Sequence, residues 1–448
     1  MHCEESKQWE KAIADELASL EKNGTWELVE LPPGRKTVGC KWVFKKKLGA
    51  DGTVERFKAR LVAKGFSQQP GLDFQETFAP VAKFSSVRLL LSLAASLDLE
   101  IHQLDVKTAF LNGVVEEEIY MEQPEGCIAP GNENLVCRLK KSLYGLKQAP
   151  RAWNQHFDGF MQSQGFKRCK SESCIYFCKT SAGSIIYLLV YVDDLIVATK
   201  DIGLMESIKK ELQNEFEVSD MGELAYFLGI QITRNRSQRL IYLNQRQHTL
   251  RLLSAFQMEN SKAVSTPMEA GLQLVKKAEG EADGEFRTRY QSAVGGLLFV
   301  MLATRPDIAS AVGIVSQYMS NPGEEHWSAV KRIFRYLRGT AAMGIELGCS
   351  EANLKLCCYS DADWGRCLDT RRSITGYLTM FGGPISWQSR KQPTVALSST
   401  DAEYMALSEA TKEVIFQVTL LEELGIPRTA TLKSLKTTKA AWRLQRTL

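Results

Sequence analysis

The residues best suited to chemistry are Asp193 and Asp194, adjacent in the run Tyr191-Val192-Asp193-Asp194. Apolar, β-rich runs flank them, Ser184 to Val190 before and Leu195 to Thr199 after. This pattern predicts a hairpin with the two aspartates at or near its tip. Adjacent carboxylates repel each other, and an apolar hairpin strips their solvation. Divalent cations bridging them would remove both penalties. A plain turn, which aspartate also favours, is the competing reading. Asp105 interrupts a predicted strand that enters a helix. It reads either as a helix cap or as a third carboxylate for the same cation site.

The elements that must position these acids follow from periodicity. Trp9, Ile13, Leu17 and Leu20 predict an amphipathic helix over 7–22, stopped by Asn23-Gly24. Cys40, Trp42 and Phe44 alternate with Lys41, Val43 and Lys45, a strand pattern. Asp51-Gly52 predicts the turn, and Arg60 to Lys64 the return strand. Ten Lys or Arg lie between Arg35 and Lys64, against Asp51 and Glu55. The result is a basic finger that can lie over a polyphosphate, or a charged exposed hairpin. Val87 to Leu97 predicts a buried helix, and Leu204 to Phe216 an amphipathic one. Pro150 is expected to stop regular structure, with Arg151 and Trp153 suited to stacking or phosphate contact. Tyr226 to Ile232 alternates as one strand, and 246–345 reads as mainly helical. There Lys331, Arg332, Arg335 and Arg338 fall at helical spacing, either on a solvated face or against a phosphate backbone.

At 448 residues, 44% hydrophobic and 24% charged, the composition is that of an ordinary globular protein of two to four domains. The net charge of +4 does not by itself announce nucleic acid. No apolar stretch reaches membrane-spanning length and no signal peptide is present. Eleven cysteines without a CxxC pair predict free thiols and an intracellular location, cytoplasm or nucleus being left open. Cys169, Cys174 and Cys178 lack a nearby histidine to complete a zinc site.

Several stretches together resemble the reverse transcriptase of copia-type LTR retrotransposons. They are Lys41 to Lys45, Lys58 to Phe66, Gln103 to Gly113, Ser142 to Arg151 and Tyr191 to Asp194, in matching order and spacing. The resemblance runs from about Trp9 to about Ile426. It implies an α+β chain: a right-hand polymerase of fingers, palm and thumb, then a truncated RNase H-like α/β domain. The expected boundaries are 9–245 for fingers and palm, 246–350 for thumb and connection, 351–426 for the incomplete RNase H-like domain and 427–448 for a divergent basic tail. It further implies RNA-directed DNA polymerase activity, with Asp105, Asp193 and Asp194 as catalytic metal ligands for two Mg²⁺ ions, Mn²⁺ being a possible substitute. Lys45, Lys47 and Arg60 are candidates for gripping the triphosphate. Phe110 is the candidate for excluding a ribose 2′-OH, core packing being the alternative. Tyr144 and Gly145 are expected to line the nucleotide pocket, and Gln148 and Arg151 to contact template. Leu228 and Gly229 lie in a segment that resembles the primer grip. The implied partners are an RNA template, a DNA primer/template and dNTPs, with no membrane; oligomeric state is left open.

Further along, Leu354 to Tyr359 and Ile374 to Met380 predict strands, with a long helix running to about Leu424. This part resembles the family's RNase H domain. Asp361 and Glu403 are expected as two of its metal ligands, with Asp363 as a possible substitute. Thr400 with Glu403 also has the spacing of a capping box, which leaves a cap as the alternative for Glu403. The family pattern then requires a strand bearing an Asp-Asn pair and a further carboxylate. No Asp or Glu follows Glu423, and 427–448 carries six Lys or Arg. RNase H activity is therefore expected to be absent or very weak. Loss of the last strand and helices is expected to leave an apolar sheet face uncovered. The alternative to a polymerase is a catalytically silent or domesticated transposon remnant that only binds nucleic acid.

Overall fold

The computed structural model describes residues 5–48, 54–128, 131–181, 183–277, 283–426 and 430–434. The expected Asp51-Gly52 turn and most of the basic tail lie outside them. The ten cysteines among these residues are free.

A six-stranded antiparallel sheet occupies the middle of the molecule. Its order is Val218–Glu223, Glu100–Val106, Asp194–Thr199, Ile185–Tyr191, Ile175–Lys179, Lys167–Arg168. The predicted hairpin is its centre, with Val192 and Asp193 as a two-residue loop. Successive residues point to opposite faces, and both faces are buried. Tyr187, Leu189, Ile196 and Ala198 join a core shared with helix Phe84–Ser96. Leu188, Val190, Leu195 and Val197 join a second core with helices Ala149–Ser163 and Ile202–Glu215. Cover on both sides explains why these strands read as unbroken apolar runs rather than as alternation. Helix Phe84–Ser96 is buried at every position from Ser85 onward, as its sequence predicted. Pro150 opens the helix Ala149–Ser163 instead of stopping regular structure, because the first turn has no partner for the N–H that proline lacks.

Helix Ser6–Lys22 forms as expected. Trp9 packs its ring against Phe44 at 5.2 Å and Phe57 at 4.6 Å. Those two belong to the basic hairpin, Cys40–Leu48 paired with Val54–Ala63. The single strand expected over 226–232 is instead a hairpin. Tyr226–Phe227 pairs with Ile230–Asn235 across Leu228 and Gly229, both at positive φ. Two successive left-handed residues reverse the chain where alternation alone suggested continuation. Helices Arg246–Ala255, Gly284–Ala303, Ala309–Val315 and Glu324–Gly339 enclose their own core around Tyr290, Leu297, Val312 and Phe334.

The C-terminal sheet has the order Pro384–Lys391, Ile374–Phe381, Leu356–Asp363, Ala430–Ser434. The strand expected to be missing is present, since Ala430–Ser434 pairs in parallel with Leu356–Asp363. Pairing needs only backbone groups, so it does not depend on the acids that the resemblance would place there. The expectation of an uncovered apolar face is also corrected. Strand Pro384–Lys391 packs on helices Phe84–Ser96 and Ala309–Val315, and helix Ser399–Glu423 packs on the two strands beside it. Leu356, Phe381, Ile385, Leu420 and Leu424 thereby enter the same core as the central sheet. Arg88 ties the junction. Its Nε donates to the Ile385 carbonyl at 2.6 Å, its Nη1 to Leu302 at 2.8 Å and to Ala303 at 3.0 Å. Its guanidinium lies 4.0 Å from the Trp387 ring centroid.

Candidate active site

Register brings the first acids together. Asp194 stands opposite Asp105 on one side and Tyr191 on the other. Asp105 is opposite Ser219 on its far side. Val192 at the hairpin tip has φ +59, a costly conformation for a β-branched residue. Two bonds hold the tip: Trp153 Nε1 donates to the Val192 carbonyl at 2.6 Å, and the Val106 N–H to the Asp193 carbonyl at 2.8 Å.

Asp105 and Asp193 line a cleft of about 460 Å³ together with a cationic wall of Arg56, Lys58 and Arg60. Burial pushes the Asp193 carboxyl above its ordinary range. Its backbone N–H opposes that, the Asp105 charge adds to it, and Arg60 and Lys58 pull it down again. Asp194, directly across from Asp105 and on the same face of the sheet, accepts from Gln103 Nε2 at 3.0 Å. Among the described residues no group of three or more His, Cys, Asp or Glu side chains is close enough to hold a metal ion. A pair of carboxylates still fits magnesium, which commonly binds one or two protein carboxylates plus substrate phosphates. The destabilised Asp193 next to Asp105 is the arrangement that a cation would relieve.

The cationic wall is one face of the basic hairpin. Lys45 is opposite Lys58, and Val43 is opposite Arg60. Lys47 pairs with Arg56 through the backbone, but its side chain lies outside the described part. Like charges directly across a strand pair destabilise it unless an anion lies over them. Arg60 sits 4.8 Å from the Tyr144 ring centroid, and burial pushes the Tyr144 hydroxyl up to about 12. Phe110 stands edge-on to Tyr144 at 5.2 Å. Gly145 has φ +92, and a Cβ there would meet the Ala63 carbonyl oxygen at 2.1 Å. This glycine therefore lets the Tyr144 loop lie on the basic hairpin.

Gln148, expected at the template, is 4% exposed. It donates to the Asp73 carbonyl at 2.8 Å and accepts from Gln68 Nε2 at 3.1 Å, ordering that loop. Arg151 is near Glu76, at 3.5 Å, and near the Phe78 carbonyl. Leu228 and Gly229 form a hairpin tip, and the Phe227 ring before it lies 6.3 Å from that of Tyr191. Three arginines of helix Glu324–Gly339 are occupied internally: Arg332 on Glu269 at 2.8 Å, Arg335 on the Lys262 carbonyl and Arg338 on the Glu259 carbonyl. They pin 259–269 to helix Glu324–Gly339.

In the C-terminal sheet Asp361 is opposite Gly376. Glu403 is buried on helix Ser399–Glu423. The alternative for Glu403, a capping box at Thr400, is not formed, because Ser398 is the cap and its Oγ accepts from the Asp401 N–H at 3.1 Å. Asp363 is engaged by Arg366 at 2.7 Å. Ala430–Ser434 supplies no carboxylate to the site.

Sequence reasoning missed Glu16 as part of the cleft, and missed that Trp153 holds the hairpin tip and Gln103 holds Asp194. Trp153 sits in a noted motif, and Glu16 falls on the apolar stripe of its helix, seven residues after Trp9 and four before Leu20, which was the available signal for its burial.

Residues 23–270 match the sequence family described as "Reverse transcriptase (RNA-dependent DNA polymerase)". Over 427 residues the chain is 51% identical to the Retrovirus-related Pol polyprotein from transposon TNT 1-94 of Nicotiana tabacum, covering 94% of this chain and 32% of that protein. It is 42% identical over 421 residues to the Pol polyprotein from transposon RE2 of Arabidopsis thaliana, covering 94% of this chain and 28% of that protein. A putative transposon Ty5-1 protein of Saccharomyces cerevisiae is 35% identical over 313 residues, its whole length and 69% of this chain. The chain spans about a third of the first two relatives' length. Motif order, the match over more than half the chain and these identities make it a member of the reverse transcriptase family found in copia-type retrotransposon Pol polyproteins.

Proposed function

We propose that the chain is the RNA-directed DNA polymerase part of a retrotransposon polyprotein. It would extend a DNA primer on an RNA or DNA template. The observation that carries this reading is the meeting of Asp105 and Asp193 in one cleft with Arg56, Lys58 and Arg60, where Arg60 and Lys58 act on the Asp193 charge. In this reading the six-stranded sheet is the palm, the basic hairpin belongs to the fingers, the helical core forms thumb and connection, and the C-terminal sheet is RNase H-like.

Two Mg²⁺ ions, held by Asp105 and Asp193 with Asp194 beside them, would lower the pKa of the primer 3′-OH and neutralise the triphosphate. Arg60 and Lys58, with Lys45 and Lys47 beyond them, grip the phosphates. The 3′-oxygen bonds to the α-phosphorus, pyrophosphate leaves with the bonding pair, and the hydroxyl proton is released. Phe110, backed by Tyr144, disfavours a ribose 2′-OH. The Leu228-Gly229 tip holds the primer end, and Arg151 is a candidate on the template side. RNase H activity is absent or very weak, because Asp361 and Glu403 lack the acids that the family places on the next strand. That same strand, Ala430–Ser434, favours the second reading of a nucleic-acid-binding remnant only for the C-terminal part. Among the described residues no helix is long and apolar enough to cross a membrane.

Primer extension on poly(rA) with oligo(dT) and Mg²⁺ tests the proposal. Incorporation by the wild type that disappears in Asp193→Asn is the expected result. Folded, template-binding protein that incorporates nothing would overturn it in favour of the remnant.

A further inference from the structure

Building on the polymerase reading, we propose that Glu16 is a positioning residue for the cationic wall and limits how tightly that wall holds a triphosphate. Residue 16 lies before the family match, which begins at residue 23. Its side chain is only 6% exposed although it is ionisable, and glutamate is rarely buried unless it is paired. Glu16 Oε1 accepts the Leu61 N–H at 3.2 Å. This bond fixes strand Val54–Ala63 at the residue next to Arg60, whose guanidinium rests over Tyr144. Glu16, Lys58, Arg60 and Asp193 line one cleft. Burial raises the Glu16 carboxyl, while the Leu61 N–H and the charges of Lys58 and Arg60 draw it down, so both cations are within electrostatic reach. One carboxylate thus does two opposed things. It orders the two cations on their strand, and it subtracts one charge from the field an incoming polyanion meets.

The two effects separate by substitution. Glu16→Gln keeps the acceptor oxygen and the shape but removes the charge. Glu16→Asp keeps the charge but withdraws it from Leu61. Binding of inorganic tripolyphosphate to the full chain, followed by calorimetry, needs no catalysis. Glu16→Gln is expected to bind roughly fivefold tighter than wild type, most clearly at low salt. Glu16→Asp is expected to bind no tighter than wild type. In primer extension Glu16→Gln should lower KM for dNTP without raising kcat, a split that a purely structural residue would not produce. Arg60→Gln is the control and should weaken binding about tenfold. If Arg60→Gln weakens binding while Glu16→Gln stays within about twofold of wild type, the inference falls and the polymerase reading stands. Tightening by Glu16→Asp also overturns it. If tripolyphosphate does not bind, or binds independently of Arg60, the inference falls, and primer extension alone decides the polymerase reading.

Discussion

Two sheets in this molecule each set an aspartate on an inner strand, and they differ in what the neighbouring elements bring to it. In the central sheet Asp105 has Asp194 in register on one side, with Asp193 at the tip of the same hairpin. In the C-terminal sheet Asp361 has Gly376 on one side, and the parallel strand on the other reads Ala-Thr-Leu-Lys-Ser. Strand pairing is a backbone property, whereas an acid site is a property of side chains in register. The second sheet therefore pairs without bringing a carboxylate from Ala430–Ser434 alongside Asp361. The shared core gives a physical reason for its presence, because the C-terminal sheet covers helix Phe84–Ser96, which leads into the strand of Asp105.

The largest expected effect separates the two aspartates by activity. Asp105→Asn should cut primer extension by at least about 10³-fold, the scale of losing a principal charge-stabilising group. Asp361→Asn should leave extension unchanged, and hybrid cleavage should be undetectable with or without it. Wild-type cleavage that Asp361→Asn removes would break the comparison. It would mean that the acids missing from Ala430–Ser434 are supplied from elsewhere.

Next in size is the junction. Arg88→Met leaves carbonyls of Ile385, Leu302 and Ala303 without their donor and removes the stacking on Trp387. The expected loss is about 3 kcal/mol in denaturant unfolding. The probes for the two sheets should lose stability together, in one transition. Separate transitions would show that the C-terminal sheet does not support the central one.

A smaller contrast uses glycine. Gly145→Ala puts a Cβ 2.1 Å from the Ala63 carbonyl oxygen at φ +92, and should cost about 2 kcal/mol or more along with nucleotide affinity. Gly376→Ala, beside Asp361, meets only ordinary contacts at 3.9 Å and should be tolerated. Equal costs would argue that the second site is as tightly constrained as the first.

Much of this was legible in the chain because local patterns coincide with the final elements. The acid hairpin, helix Phe84–Ser96 and the basic hairpin each announce themselves by apolar runs or alternation. What was not legible depends on long-range contacts. The reversal at Leu228-Gly229 is a backbone choice at two residues, and alternation continues across it. Ala430–Ser434 looks like a foreign tail until its parallel pairing with Leu356–Asp363 is seen. Arg332, Arg335 and Arg338 carry the spacing of a phosphate-binding face, yet the 259–269 segment occupies them. Glu16 and Gln148 are buried polar groups whose partners are distant in sequence, and periodicity has no signal for such pairs.

The smallest expected effect concerns stability and pH at Asp193. Burial first, and then the charge of Asp105, hold its carboxyl above the ordinary range, against its own backbone N–H, Arg60 and Lys58. The folded chain thus binds this proton more readily than the unfolded chain does. Its contribution to stability is fully present below the ordinary aspartate range and is lost as pH rises through the raised folded value. At neutral pH the wild type carries the strain of the charged pair, and Asp193→Asn does not. The variant should therefore melt about 2 °C higher at neutral pH, a gap that closes as the solution is acidified. Mg²⁺ should reverse the order by raising the melting temperature of the wild type and leaving Asp193→Asn where it was. A metal-dependent rise that survives in Asp193→Asn but disappears in Asp361→Asn would assign the cation to the other sheet and invert the comparison.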